Sequence, residues 1–158
     1  MNNFEILQTL GEGTYSTVYK VIRKSDGLVY ALKKVNILRL SYKEKQNALN
    51  EIRILASVFS PFIIKYKESF FDTENSCLAI VMEYADEGDL LQMIKLRKKF
   101  NKTFSDLFLK KLIVSMVEGL HSLHYKSIFH RDLKVRNDLF KYLFSLQMYF
   151  SSQMALLN

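Results

Sequence analysis

The sequence predicts an α+β fold, in which a five-stranded antiparallel sheet carrying one main helix is joined by a short hinge to a helical portion. Three observations predict it. Apolar and polar residues alternate with a period of two through the first third of the chain, between turn residues. A single capped helical pattern interrupts the strand runs. From Asp89 onward the apolar spacing becomes helical. Strands grouped first and helices grouped after is the α+β order, not the alternating order of a parallel sheet.

Phe4 to Leu10 reads as the first strand and ends in Gly11-Glu12-Gly13. Thr17 to Ile22 alternates as the second. Ser25-Asp26-Gly27 supplies a hairpin turn, and Leu28 to Val35 makes the third strand. Ser41-Tyr42-Lys43-Glu44 matches a capping box, in which Ser41 and Glu44 satisfy exposed amides at a helix start. That helix is expected to run to about Ser57, with Ala48, Ile52 and Leu55 on one face. Phe62 to Phe71 and Cys77 to Tyr84 complete the five strands. Helices follow over Leu90 to Lys98 and Ser105 to Tyr125. In the longer one, Phe104, Phe108, Leu112, Met116 and Leu120 recur every four residues, an apolar stripe that needs a partner surface.

Composition excludes several classes. With 49% hydrophobic residues, 25% charged residues and one proline, the 158-residue chain is expected to fold rather than stay disordered. The single cysteine, Cys77, excludes an internal disulfide and reads as a buried thiol within CLAIVMEY. That usage fits a cytoplasmic protein, with nuclear or cytoskeleton-associated placement also open. MNNFEILQTL lacks the pattern of a signal peptide, and the apolar runs are too short for a membrane span. The net charge of +7 permits acidic partners. Lys95-Leu96-Arg97-Lys98-Lys99 has no interleaved base-stacking aromatics and reads as a solvated helix end, so neither nucleic acid nor membrane is expected as a partner.

Four constellations carry chemistry. Gly11-Glu12-Gly13-Thr14-Tyr15-Ser16-Thr17-Val18 lies between two strands, where glycines let backbone amides approach phosphate oxygens; Ser16 stands in the place of a third glycine. The same pattern also suits a plain hairpin turn. In Tyr30-Ala31-Leu32-Lys33, Lys33 shares a strand face with Ala31 while Lys34 points the other way. A lysine on a half-buried strand is ordinarily a solvent-facing charge. Here Glu51, inside the capped helix, is placed to pair with Lys33 if that helix packs on the sheet. Met82-Glu83-Tyr84-Ala85 ends the fifth strand where sheet gives way to helix, a natural position for a ligand crevice with backbone groups facing a purine edge. Asp89 is foremost a helix cap, with a polar contact to a ribose as its second role. Last comes His130-Arg131-Asp132-Leu133-Lys134-Val135-Arg136-Asn137. Asp132 in a basic loop stays ionised and can accept a proton. Lys134 can balance phosphate charge, and Asn137 can ligate a metal.

Together these residues resemble a eukaryotic protein kinase over roughly residues 4 to 137. The resemblance implies a bilobal fold with a nucleotide-binding lobe over residues 4 to 84. Hinge and partial helical lobe follow over 85 to 137, then a divergent tail over 138 to 158. It implies ATP and Mg2+ as cofactors and transfer of a γ-phosphoryl group to Ser or Thr hydroxyls of a protein substrate. Leu10, Gly11, Glu12, Gly13 and Val18 would line the loop over ATP, with Ala31, Met82, Glu83, Ala85 and Asp89 around the nucleoside. Lys33 would hold the α- and β-phosphates, and Glu51 would pair with it. Asp132 would be the catalytic base, Lys134 the loop lysine of the serine/threonine type, and Asn137 a magnesium ligand. GEGTYSTVYKV, ALKKV, NEIRILASV, IIKYKESFFD and LAIVMEYADEGDL further resemble the NIMA-related (Nek) branch.

The resemblance lapses after Asn137. The family continues there with a short strand pair, Asp-Phe-Gly and an activation segment, and no Asp-Phe-Gly occurs in the sequence. The expectation is a chain truncated after the catalytic loop, with impaired phosphoryl transfer. The alternative is a catalytically inactive chain that homo- or hetero-associates through the uncovered stripe of its long helix. In the tail, Leu139, Tyr142, Leu143, Leu146, Tyr149 and Phe150 fall at helical spacing, suited to covering part of that stripe.

Overall fold

The computed structural model describes residues 2–86, 89–130, 133, 138–141 and 145–148, the last two segments by backbone alone and Arg39 without its side chain. The chain divides into two compact units, Met1–Ala56 with Tyr66–Tyr84 and Ser57–Lys65 with Ala85–Asn158.

The first unit holds β1 (Phe4–Glu12), β2 (Ser16–Arg23), β3 (Val29–Asn36), β4 (Tyr66–Asp72) and β5 (Cys77–Glu83). They form one antiparallel sheet in the order β1-β2-β3-β5-β4. Of the three inner strands β2, β3 and β5, β5 is the most enclosed, with every residue before Glu83 buried. One face carries a core of Val21, Tyr30, Leu32 and Val81, ringed by Phe4, Tyr19 and Phe70. Phe4 and Phe70 stack with centroids 5.8 Å apart.

The β2–β3 turn shows how local chemistry fixes the register. Gly27 takes φ +69°, which a side chain disfavours, and donates to the Arg23 carbonyl at 2.8 Å. Asp26 accepts from the Leu28 amide at 3.0 Å. Arg23 donates to Asp26, to Glu68 on β4 at 2.8 Å and to the Tyr30 hydroxyl at 2.7 Å. The Asp26 carboxyl is held well below the usual carboxylate range, first by the Arg23 hydrogen bond and then by the Leu28 amide and Tyr30 hydroxyl. Its folded-state affinity for protons is thus lower than in the unfolded chain. The stability it contributes is complete above about pH 4 and is lost as the pH falls further. Asp26→Asn should therefore flatten the decline of melting temperature between pH 4 and 2, measured by circular dichroism, relative to the parent chain.

Helix α1 (Tyr42–Ser57) begins at the expected capping box. The Ser41 amide and hydroxyl both donate to Glu44 at 2.7 Å, and the Glu44 amide returns a bond to Ser41 Oγ at 3.3 Å. Its buried residues are Ala48, Ile54 and Leu55; Ile52, expected inward, is only half-buried. Glu51 lies three residues after Ala48 and four before Leu55, so it occupies the inward position that apolarity alone assigned to its neighbour.

In the second unit, Phe62 to Lys65 are not strand. Ile63 and Ile64 are buried in an irregular segment after Pro61, and apolar residues buried in a loop mimic a strand run. Helices α2 (Leu90–Lys99) and α3 (Asp106–His124) follow. Ser105 caps α3, accepting from the Phe108 amide at 3.2 Å. The stripe left without a partner in the sequence reading is the one that packs. Phe108, Leu112 and Met116 lie against Leu90, Met93 and Ile94 of α2. The exposed apolar residues of α3 are instead Leu107, Leu109, Ile113, Val114 and Val117. Beyond Leu133, β6 (Asp138–Lys141) and β7 (Ser145–Met148) pair antiparallel. Leu139 and Leu146, expected at helical spacing, thus lie on strands, whereas Tyr142, Leu143, Tyr149 and Phe150 lie outside the described residues. No helix among the described residues is long and apolar enough to cross a membrane.

Candidate nucleotide site on the sheet

Antiparallel register places the expected site residues in rows. Gly11 on β1 faces Val18 on β2, Val18 faces Lys33 on β3, and Lys33 faces Ile80 on β5. Directly opposed residues share a sheet face, so Gly11, Val18 and Lys33 lie in one line. The adjacent row on that face holds Lys20, Ala31 and Met82. Nine positions separate Leu10 from Tyr19 in the chain, yet the β1–β2 hairpin folds this stretch back over the same rows. Its turn is closed by the Gly13 amide donating to the Ser16 carbonyl at 2.7 Å. A Cβ built at Gly11 meets no atom within 4 Å, whereas one at Gly13 comes 3.4 Å from Ser16 Oγ. Space is therefore left open above Gly11, and Ser16 fills the third glycine's place with its own hydroxyl close to the turn. Leu10 is 41% exposed beside it, and Glu12 is exposed at the strand end.

Lys33 is not a solvated lysine. The residue is buried, and its Nζ donates to Glu51 Oε1 at 2.7 Å, with the two side chains only 10% and 11% exposed. Alternation sends Lys34 to the opposite face, where it lies 3.8 Å from Asp72. The Asp72 carboxyl is lowered, chiefly by the Asn75 amide that donates to it at 2.7 Å, with Lys34 adding to the effect. The two adjacent lysines thus meet different carboxylates on different faces, and only Lys33 shares a face with the open glycine turn.

At the far end of β5, Met82 is buried and Glu83 pairs in register with Tyr30. The sequence reading missed Lys20, whose ammonium stands 4.5 Å over the Tyr84 ring and so braces the segment after β5. The signal was available, since Lys20 follows Val18 by two residues on the same strand face. Ala85, buried, opens the second unit. Asp89 caps α2, its two carboxylate oxygens accepting from the Gln92 amide at 2.7 Å and the Gln92 side chain at 3.2 Å. Of the catalytic loop, His130 is buried and Leu133 is 45% exposed. Asp132, Lys134 and Asn137 lie outside the described residues. Among the described residues no cluster of His, Cys, Asp and Glu could hold a metal ion.

The protein kinase domain family matches residues 4–146, which extends past Asn137 into the β6–β7 pair. The chain is 38% identical over 137 residues to a probable serine/threonine-protein kinase nek3 of Dictyostelium discoideum. That match covers 87% of this chain and 12% of the relative, so the chain spans a small part of the relative's length. The chain belongs to the protein kinase domain family.

Proposed function

We propose that this chain binds ATP against the Gly11–Val18–Lys33 face of its sheet and, as the 158-residue chain, transfers little or no phosphate to protein Ser or Thr hydroxyls. The observation that carries the reading is the buried Lys33–Glu51 ion pair in line with the open glycine turn. Glu51 holds the Lys33 ammonium at one place, so a positive charge is oriented before any phosphate arrives. The open space above Gly11 lets phosphate oxygens approach the backbone of the β1–β2 turn, and Val18, Ala31 and Met82 form an apolar bed suited to a purine. Backbone groups of Glu83 and Ala85 would meet the purine edge, and Asp89, beyond its capping role, the ribose. ATP, when bound with Mg2+, supplies the γ-phosphoryl group.

Asp132 is assigned as the base that accepts the substrate hydroxyl proton, Lys134 as a charge-balancing lysine and Asn137 as a metal ligand, on their positions in the HRDLKVRN motif. The impairment follows from the sequence lacking Asp-Phe-Gly, whose aspartate is the other metal ligand in this chemistry. The test is titration of a fluorescent ATP analogue with Mg2+, alongside radiolabel transfer to a generic protein substrate. Saturable binding with transfer at background supports the proposal. Transfer that requires Mg2+ and disappears in Asp132→Asn overturns the impairment. A chain that elutes as a stable oligomer and binds no nucleotide would favour an interaction role through the exposed Leu107, Ile113, Val114 and Val117 instead.

A further inference from the structure

The junction of α2 and α3 forms a basic groove that the phosphotransfer chemistry does not use. Between Leu90 and Ser105 the sequence has Lys95, Arg97, Lys98, Lys99 and Lys102 and no acidic residue. The segment is built rather than loose. Asn101 takes φ +50°, the Lys102 amide donates to the Arg97 carbonyl at 2.9 Å, and the Asn101 amide to the Lys98 carbonyl at 3.1 Å. These are the two bonds of a Schellman motif, and they satisfy helix-end carbonyls that would otherwise repel an anion. Arg97 is fixed further by donating to the Thr103 carbonyl at 3.1 Å while its guanidinium lies 5.2 Å over the Phe104 ring.

The result is a groove of about 370 Å³ lined by Ile94, Phe104, Arg97, Lys98 and Lys102. That volume suits one large side chain with flanking backbone rather than a folded domain. We propose that this groove docks an acidic linear peptide segment of a partner protein, with one large apolar side chain seated between Ile94 and Phe104. Charge complementarity selects the acidic flanks. The aromatic geometry disfavours nucleic acid. Phe104 already stacks on Phe108 at 4.7 Å and carries the Arg97 guanidinium at 5.2 Å, so its ring is not a free platform for stacking a base.

The test is fluorescence anisotropy with the 158-residue chain and a short labelled peptide of Glu and Asp around one central Leu. Saturable binding is expected at about 0.05 M salt and is weakened at about 0.3 M. Changing the peptide's Leu to Ala should weaken binding about tenfold, since most of a buried leucine's transfer energy is lost. Lys98→Ala with Lys102→Ala should weaken it at least about fivefold, with the ratio shrinking at high salt and ATP-analogue binding unchanged. Both lysines are exposed, and the peptide-side changes need no protein variant. Indifference to the peptide's Leu, indifference to the double lysine variant, or equal affinity for single-stranded RNA or anionic vesicles would each overturn the proposal.

Discussion

Lys33→Met removes saturable ATP binding and lowers unfolding free energy by about 3–5 kcal/mol, the range for deleting one partner of a buried ion pair. The Lys33 and Glu51 side chains are each about a tenth exposed and meet at 2.7 Å. Deleting the ammonium leaves the Glu51 carboxylate on the inward face of α1, between Ala48 and Leu55, without that bond. Lys33→Met combined with Glu51→Leu separates the two consequences. A well-packed apolar pair of similar volume is often as stable as the ion pair it replaces, so the double variant should recover most of the lost stability. It should recover none of the nucleotide binding, because the oriented charge is still missing. Urea unfolding followed by circular dichroism gives the first quantity, and titration with the fluorescent ATP analogue the second. A double variant that regains ATP binding would remove Lys33 from the phosphate site. A Lys33→Met cost below about 0.5 kcal/mol would mean that the pair behaves as a surface ion pair.

The same pair shows how much of the site was legible in the sequence. Strand alternation separates Lys33 from Lys34 correctly, and the capping box locates the start of α1 to the residue. The sequence names Glu51 as the acid for Lys33 on the condition that α1 packs on the sheet, and the two side chains meet; apolar patterning alone misleads about the rest of that helix face. Ala48, Glu51 and Leu55 form the inward line, so a charged residue interrupts the apolar stripe, and Ile52, read as inward, is only half-buried. The interruption is itself the signal of the ion pair, because the carboxylate is held inward where the lysine meets it. Helix α3 fails to yield its packing for a different reason. It is apolar on more than one side, and periodicity cannot tell which side meets α2. Phe62 to Ile64 misled because burial in a loop produces the same apolar run as a buried strand. The Arg23, Asp26, Tyr30 and Glu68 network had no sequence signal beyond a turn aspartate, since its members come from three strands and a turn.

The second large effect lies on the other face of the same strand. Leu32→Ala should lower unfolding free energy by about 2–5 kcal/mol. Leu32 is fully buried, paired between Tyr19 and Val81 and packed with Val21 and Tyr30 inside the ring of Phe4, Tyr19 and Phe70. The sheet has little room to collapse there, because β3 is flanked on both sides by β2 and β5 from Tyr30 to Val35. The truncated side chain therefore leaves a cavity that hydrogen-bonded neighbours cannot close. A drop of this size takes a large share of the roughly 5–15 kcal/mol typical of a domain. The urea midpoint should fall with little change in slope, whereas Leu38→Ala, at a position 74% exposed, should stay within about 0.5 kcal/mol of the parent. Alternation adds a functional condition. Leu32 points away from the face that holds Lys33, Val18 and Ala31, so ATP-analogue affinity measured below the unfolding transition should be nearly unchanged in Leu32→Ala. An affinity loss comparable to that of Lys33→Met would show that the sheet transmits packing defects from one face to the other. The lysine's position would then depend on the core behind it as much as on Glu51.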